Sequence, residues 1–202
     1  MSPESRPEQG ASERSLDGDL LELADDSADV WQAAGARLKA RGAAAVPILE
    51  RGLGDDRLGS VAHWRMLLVL RELRLEETVP LIRAALRRAL SRRDSTVIQG
   101  AMEALAVFET PEALGELLAL LEHDEPDVVK HAAALAGQIG GARAAEALLR
   151  LLQSEVASIR YSAASALAGL EDSGVRAALQ RQLRVETDPD VREVLRRALS
   201  HD

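Results

Sequence analysis

Apolar residues recur at intervals of four along this chain, in short runs punctuated by glycine, proline and aspartate. With a zero mark at Val128, Ala132 falls at +4, Ala136 at +8, Leu148 at +20 and Leu152 at +24. The same frame fits from Val97 (Ala101, Leu105, Leu117, Leu121) and from Ile159 (Ala163, Leu167, Leu179, Leu183). It fits from Ala62 (Met66, Leu70, Ile82, Leu86), and from Val30 with Ala34 and Leu38, where Leu49 and Leu53 come one position early. Val191, Leu195 and Leu199 open a sixth unit. Successive marks stand 32, 35, 31, 31 and 32 residues apart. Spacings of four place side chains along one face of a helix, so each unit predicts two helices.

Turn residues fall where this frame needs them. Gly42, Thr110 with Pro111, Gly140 with Gly141, and Gly174 separate the two halves of a unit. Gly54 with Asp55 and Asp56, Asp94 with Ser95, Pro126 with Asp127, and Pro189 with Asp190 separate the units. Asp127 and Asp190 stand where a carboxylate can cap the first N–H groups of a helix. One helix pair cannot bury both its faces, so neighbouring pairs must stack into an α-solenoid. Small alanines at +4 let first helices approach, and leucines at +20 and +24 fill the layer between. A helical bundle is the alternative, but it requires no 31-residue register. The expected architecture is all-α, a right-handed superhelix of about five and a half two-helix repeats. These span 26–58, 59–93, 94–124, 125–155 and 156–187, with a terminal helix at 188–202.

The strings DEPDVVKHAAALAGQIGG (124–141) and SIRYSAASALAGLEDSG (158–174) resemble HEAT repeats of the short type found in phycobilin lyase subunits. Ile159–Arg160 and Val191–Arg192 match the β-branched–Arg pair that opens such a unit, while Val128–Val129 departs from it. Ala163, Ala164 and Ala166 match the alanine positions, and Ile139–Gly140 matches the close. The resemblance is strong over 95–202 and looser over 29–94. It implies the fold. For function it leaves adaptors, chaperone-like lyases and a few enzymes.

Aromatics make up only 2 % of the chain, namely Trp31, Trp64, Phe108 and Tyr161, and Ala and Leu dominate in their place. That balance suits close helix packing and suits strands poorly. Trp31, Trp64 and Tyr161 fall in first helices, where a packing role is expected. The absence of cysteine excludes disulfides and thiolate chemistry. No signal-peptide stretch opens the sequence and no run approaches the roughly 18 apolar residues of a membrane span, so a soluble cytoplasmic protein without membrane contact is expected.

The net charge of −8 is distributed in blocks: −7 over residues 1–29, +7 over 30–93, −9 over 94–127 and +1 over 128–202. The first block is rich in Ser, Pro, Gly and acid, so residues 1–25 are expected to form an acidic tail, disordered to about Leu20, after which Leu20, Leu21 and Leu23 could start a short helix or dock loosely. Arg83, Arg87, Arg88, Arg92 and Arg93 concentrate positive charge in the second repeat, beside a third repeat with no Lys or Arg. The long 35-residue interval is expected to place its extra residues at Arg88–Arg93, in the second helix or its loop.

Enzymes of the resembling families need residues that can be sought. The HEAT-like hydroxylase that modifies a lysine of a translation factor binds two irons through His-Glu pairs, and no His-Glu pair occurs here. HEAT-like DNA glycosylases need a basic footprint, whereas residues 30–202 are nearly neutral. A lyase-like role would need a chromophore cleft, for which aromatics are scarce. His123, Asp124, Asp127 and His131 have spacing compatible with zinc, but capping and turn roles account for both aspartates. No Gly-rich phosphate loop, nucleophile elbow or Ser/His/Asp arrangement is present. No catalytic residue, metal or cofactor is therefore expected.

The leading expectation is a scaffold or adaptor that binds a protein partner through second-helix side chains on the concave side or through the basic surface, with a phycobilin lyase-like chaperone or lyase subunit and a HEAT-like nucleic-acid-binding protein as the alternatives. The +25 column reads Arg87, Glu122, Gln153 and Arg184, and the +22 column includes Arg150 and Arg181, with Glu116 and Glu146 nearby. An acidic partner segment would fit the 83–93 arginines. The acidic tail could compete for the same patch, in which case the chain regulates itself.

Overall fold

The computed structural model describes residues 18–170 and 173–200, and every regular element among them is a helix. Two compact units divide after Ala104. The first contains α1 (residues 18–23), α2 (Ala28–Ala40), α3 (Val46–Gly54), α4 (Gly59–Leu73), α5 (Val79–Arg92) and α6 (Ser95–Ala106) as far as Ala104. The second contains α7 (Pro111–Ala119), α8 (Pro126–Ile139), α9 (Gly141–Leu151), α10 (Ala157–Leu167), α11 (Ser173–Val185) and α12 (Pro189–Ser200). First helices (α2, α4, α6, α8, α10, α12) alternate with second helices (α3, α5, α7, α9, α11).

The apolar columns are the core. Ala62, Met66, Leu70, Ala101, Leu105, Ala132, Ala136, Ala163, Leu167 and Leu195 are fully buried, as are Ile82, Leu117 and Leu148 of the second helices. Each large side chain so buried contributes about 1.5–3 kcal/mol. The columns loosen at Val30, Leu183 and Leu199, which are only half-buried. Second helix α5 continues past Leu86 at +24 to Arg92, whereas α11 ends at Val185, just past Leu183, and α9 ends at Leu151, before Leu152, so the long interval lengthens a helix rather than a loop.

Local chemistry sets the helix ends. Thr110 accepts from the N–H of Ala113 at 3.2 Å to start α7, and Asp94 accepts from Val97 N–H at 3.2 Å in α6. Asp127 and Asp190 do not cap as expected. Glu125 occupies the cap position of α8 without a side-chain bond, and Asp127 pairs with Lys130 at 2.6 Å in the first turn. Before α12, Asp188 accepts from Asp190 N–H at 3.0 Å and Val191 N–H at 3.1 Å. Proline in the first turn displaces the cap by one or two residues, which leaves Asp127 and Asp190 inside the helix, where their charge still complements its positive end.

The expected boundary of the acidic tail at residue 25 is corrected. Residues 18–23 form α1, with Leu23 fully buried and Leu20 and Asp19 nearly so. Asp19 accepts from Arg37 at 2.8 Å and pairs with Arg41 at 2.9 Å, and Glu22 also pairs with Arg37. Arg65 of α4 donates to the carbonyls of Leu23 and Asp25, both at 2.7 Å, and its guanidinium lies 4.8 Å from the Trp31 ring centroid. The short helix foreseen at Leu20, Leu21 and Leu23 forms, but it is docked firmly, because two leucines suffice to seat one turn once specific cations meet its acids and its C-terminal carbonyls. The rest of the expected tail, residues 1–17, lies outside the described residues.

Within the second unit, α10 packs against α8 with almost no gap. A Cβ on Gly137 would sit 2.7 Å from the Cβ of Ala166 and 3.0 Å from its carbonyl oxygen. Substituting Gly137→Val is therefore expected to cost about 1–3 kcal/mol by overpacking, read as a lower urea midpoint, with Ala166→Gly in the same chain recovering part of the loss.

Candidate functional site

The arginine patch of the second repeat is largely committed to the fold. Arg88 donates to the carbonyls of Leu53 at 2.9 Å and Gly54 at 3.1 Å, closing the C-terminus of α3, and also pairs with Asp56. Arg92 grips the same carboxylate, with one bond of 2.8 Å. The hydrogen bond from Arg92, aided by the charge of Arg88, holds the Asp56 carboxyl below its usual range. Arg83 is half-buried, and Arg93 takes a left-handed backbone (φ 54°) to end α5. Of the five, Arg87 is exposed on α5 and pairs with no carboxylate among the described residues. A tail-to-patch contact through Asp19 or Glu22 is not what forms, because both acids are held by α2.

In the second unit the second-helix side chains stand differently. Arg150 is exposed on α9 and among the described residues meets only Glu146, at 3.3 Å, one turn earlier. Arg181 and Arg184 are exposed on α11 and enter no ion pair among the described residues. Gln153 donates to the side-chain oxygen of Gln182 at 3.3 Å, tying the ends of α9 and α11 together. Val185, beside these arginines, is 71 % exposed. Glu122 is exposed in the turn that ends α7, and Glu116 is half-buried on α7.

On the first helices of the same unit, Tyr161 is 40 % exposed, so its expected packing role is corrected. It forms a wall of two grooves. One, of about 660 Å³, runs between α10 and α12 and is bordered by Ser158, Asp190, Val194 and Arg197. The other, of about 500 Å³, lies between α8 and α10 over Gly137, Gln138, Ser165 and Gly169. By contrast Trp64 is committed to packing, with its ring against Gly100 of α6, and Trp31 lies under Arg65.

A family model described as HEAT repeats matches residues 63–136 and 131–200. The chain belongs to the HEAT repeat family. No curated protein matches it by sequence. Among solved structures it is similar to an engineered protein (21 % identity, TM-score 0.48, covering 92 % of this chain and 95 % of that one). It is similar also to human deoxyhypusine hydroxylase in complex with glycerol (17 %, TM-score 0.48, covering 94 % and 85 %). A designed armadillo repeat protein resembles it too (19 %, TM-score 0.47, covering 91 % and 98 %). The family match and the helix pairs make the chain an all-α HEAT repeat protein, a helical scaffold of a kind capable of binding proteins.

The β-branched–Arg pairs of this HEAT array act as braces. Arg160 grips Glu186 with two bonds of 2.8 and 2.7 Å and donates to the carbonyls of Ser154 and Glu155 after α9. Arg192 donates to the carbonyls of Leu183 and Glu186, covering the orphan C-terminal groups of α11. Held first by Arg160 and then by Gln182 and the N–H of Asp188, the Glu186 carboxyl is lowered to about 2. Among the described residues no three His, Cys, Asp or Glu side chains are grouped to hold a metal ion. His123 instead accepts from the N–H of Glu125 at 3.1 Å in the turn before α8. No helix among the described residues is long and apolar enough to cross a membrane.

Tyr161 and Val185 were overlooked as surface residues, although a signal existed. They stand at +2 and +26 of their repeat, outside all five apolar columns, so they face away from the core.

Proposed function

We propose that the protein is a non-catalytic scaffold whose protein partner lies against the exposed face of its second helices. The observation that supports this reading is the division of labour among arginines in the second unit. Arg160 and Arg192 close helix ends inside the fold, while Arg150 and Arg181, at equivalent positions of consecutive second helices, and Arg184, one turn after Arg181, remain in solvent. Exposed arginine held on a rigid helix is well suited to partner recognition, since its planar fork loses little freedom on pairing. Orientation by charge would give an acidic partner a faster encounter.

Tyr161 favours a second reading, in which the partner enters the grooves of the first helices, because an exposed aromatic between two grooves is a common anchor. Site-specific photo-cross-linking separates the two. A photoreactive phenylalanine in place of Arg150 is expected to yield a single partner adduct in native lysate, and the same group in place of Tyr161 none. The reverse pattern would move the interface to the first helices. Partner-free adducts at both positions would sink the scaffold reading.

A further inference from the structure

We propose that the last turn of α11 docks an acidic, amphipathic segment of the partner, whose carboxylates pair with Arg181 and Arg184 and whose apolar side chain covers Val185. This rests on the second-helix reading and names the chemistry of its partner. Arg181, Arg184 and Val185 are spaced i, i+3, i+4 and so share one face of the helix. All three are exposed, Val185 at 71 %. Arg150 holds the place of Arg181 one repeat earlier, on the helix that Gln153 ties to α11. Its bond to Glu146 joins two largely exposed groups (66 % and 77 %), so it is weak and exchangeable.

The end of α11 would ordinarily repel an anion, since its free carbonyls carry partial negative charge. Here that charge is covered. Arg192 caps the carbonyls of Leu183 and Glu186, and Arg160 neutralises the Glu186 carboxylate. Arg181 and Arg184 are thus left in no ion pair among the described residues, while the Glu186 carboxylate is held by Arg160 and that of Asp188 by the N–H groups that open α12. The other exposed arginines of α12 are already engaged, Arg196 and Arg197 both by Glu193. Two exposed guanidinium groups in no ion pair, beside a bare valine, are complementary to a segment that carries acids on one side and an aliphatic residue between them. A simple polyanion would leave Val185 uncovered.

The probe is a fluorescein-labelled synthetic peptide of alternating Glu and Leu turns, titrated by anisotropy into the full chain at about 50 and about 150 mM salt. Saturable binding is expected, weakened about tenfold or more by Arg181→Glu with Arg184→Glu and a few-fold by Val185→Ser. All these side chains are exposed, so melting temperatures should match the wild type and confirm that the variants fold. Equal affinity for wild type and the double variant would overturn the proposal, as would equal binding of a peptide with Gln in place of Glu. So would an oligonucleotide that binds as tightly with the same arginine dependence. Self-association that the arginine reversal abolishes would assign the surface to a second copy and also overturn it. A cross-linked partner at Arg150 that ignores the reversal would leave the second-helix reading standing while this inference fails. A peptide that binds as expected with no adduct at Arg150 would instead count against the second-helix reading alone.

Discussion

Replacing Glu186 with alanine is expected to lower the melting temperature by about 6–12 °C. The carboxylate is 1 % exposed and accepts from both sides of the Arg160 fork, from Gln182 at 3.0 Å, and from the N–H groups of Thr187 and Asp188. Alanine would strand a guanidinium that is itself only 14 % exposed, together with two backbone donors. Breaking a buried pair in this way costs about 3 kcal/mol, and each kcal/mol moves the midpoint of a chain this size by about 2–4 °C. The contribution is also pH-dependent. Because the folded carboxyl is lowered to about 2 from 4.5, its stabilisation is complete above about pH 4.5 and is lost as pH falls toward 2. The difference in melting temperature between wild type and Glu186→Gln should therefore be widest above pH 5 and shrink through that window, as calorimetry can measure. A constant difference across the window would show that the ionised carboxylate is not what holds the turn.

The second large effect is expected at the N-terminal segment. Leu23→Ala should destabilise the docked α1 by about 2–4 kcal/mol, since the side chain is fully buried and removing it leaves a cavity beside α2 and α4. Arg65→Ala should act on the same contact, because Arg65 holds the carbonyls of Leu23 and Asp25 and covers Trp31. Hydrogen exchange by mass spectrometry is the appropriate reading. Protection of the amides over 18–25 should collapse in either variant, while that of α8 and α10 stays unchanged. The two substitutions should be less than additive, since each releases the same segment. Preserved protection over 18–25 in Leu23→Ala would mean that the ion pairs of Asp19 alone hold α1.

Much of this architecture was legible in the chain because a solenoid writes its contacts locally. Each apolar column repeats every 31 to 35 residues, and the residue at +4 or +20 packs on its own repeat or the next one. Patterning at that range needs no knowledge of distant contacts, so Ala132, Leu148, Ala163 and Leu179 could be assigned to the core directly. The place of the extra residues at Arg88–Arg93 was legible for the same reason, though not whether they lengthen α5 or its loop.

Charge was harder to read, since sign and position along the chain do not say what a side chain reaches. Arg88 and Arg92 were expected to await a partner, and Asp56, more than thirty residues away in sequence, holds both. Asp19 and Glu22 belonged by composition to an unstructured tail and are tied to α2. Arg160 was recognised by its place in the motif, but the bond that gives it a purpose runs to a glutamate 26 residues later.

The sequence by itself determined the repeat, its helix pairs and its core, because hydrophobic periodicity is a property of neighbours along the chain. Only the tertiary structure decided which arginines are consumed in closing helix ends and which stay in water. A guanidinium at the end of a long flexible stem is fixed by whichever carbonyls and carboxylates the fold brings within about 3 Å. That selection is what moves the candidate interface from the second repeat to Arg181, Arg184 and Val185.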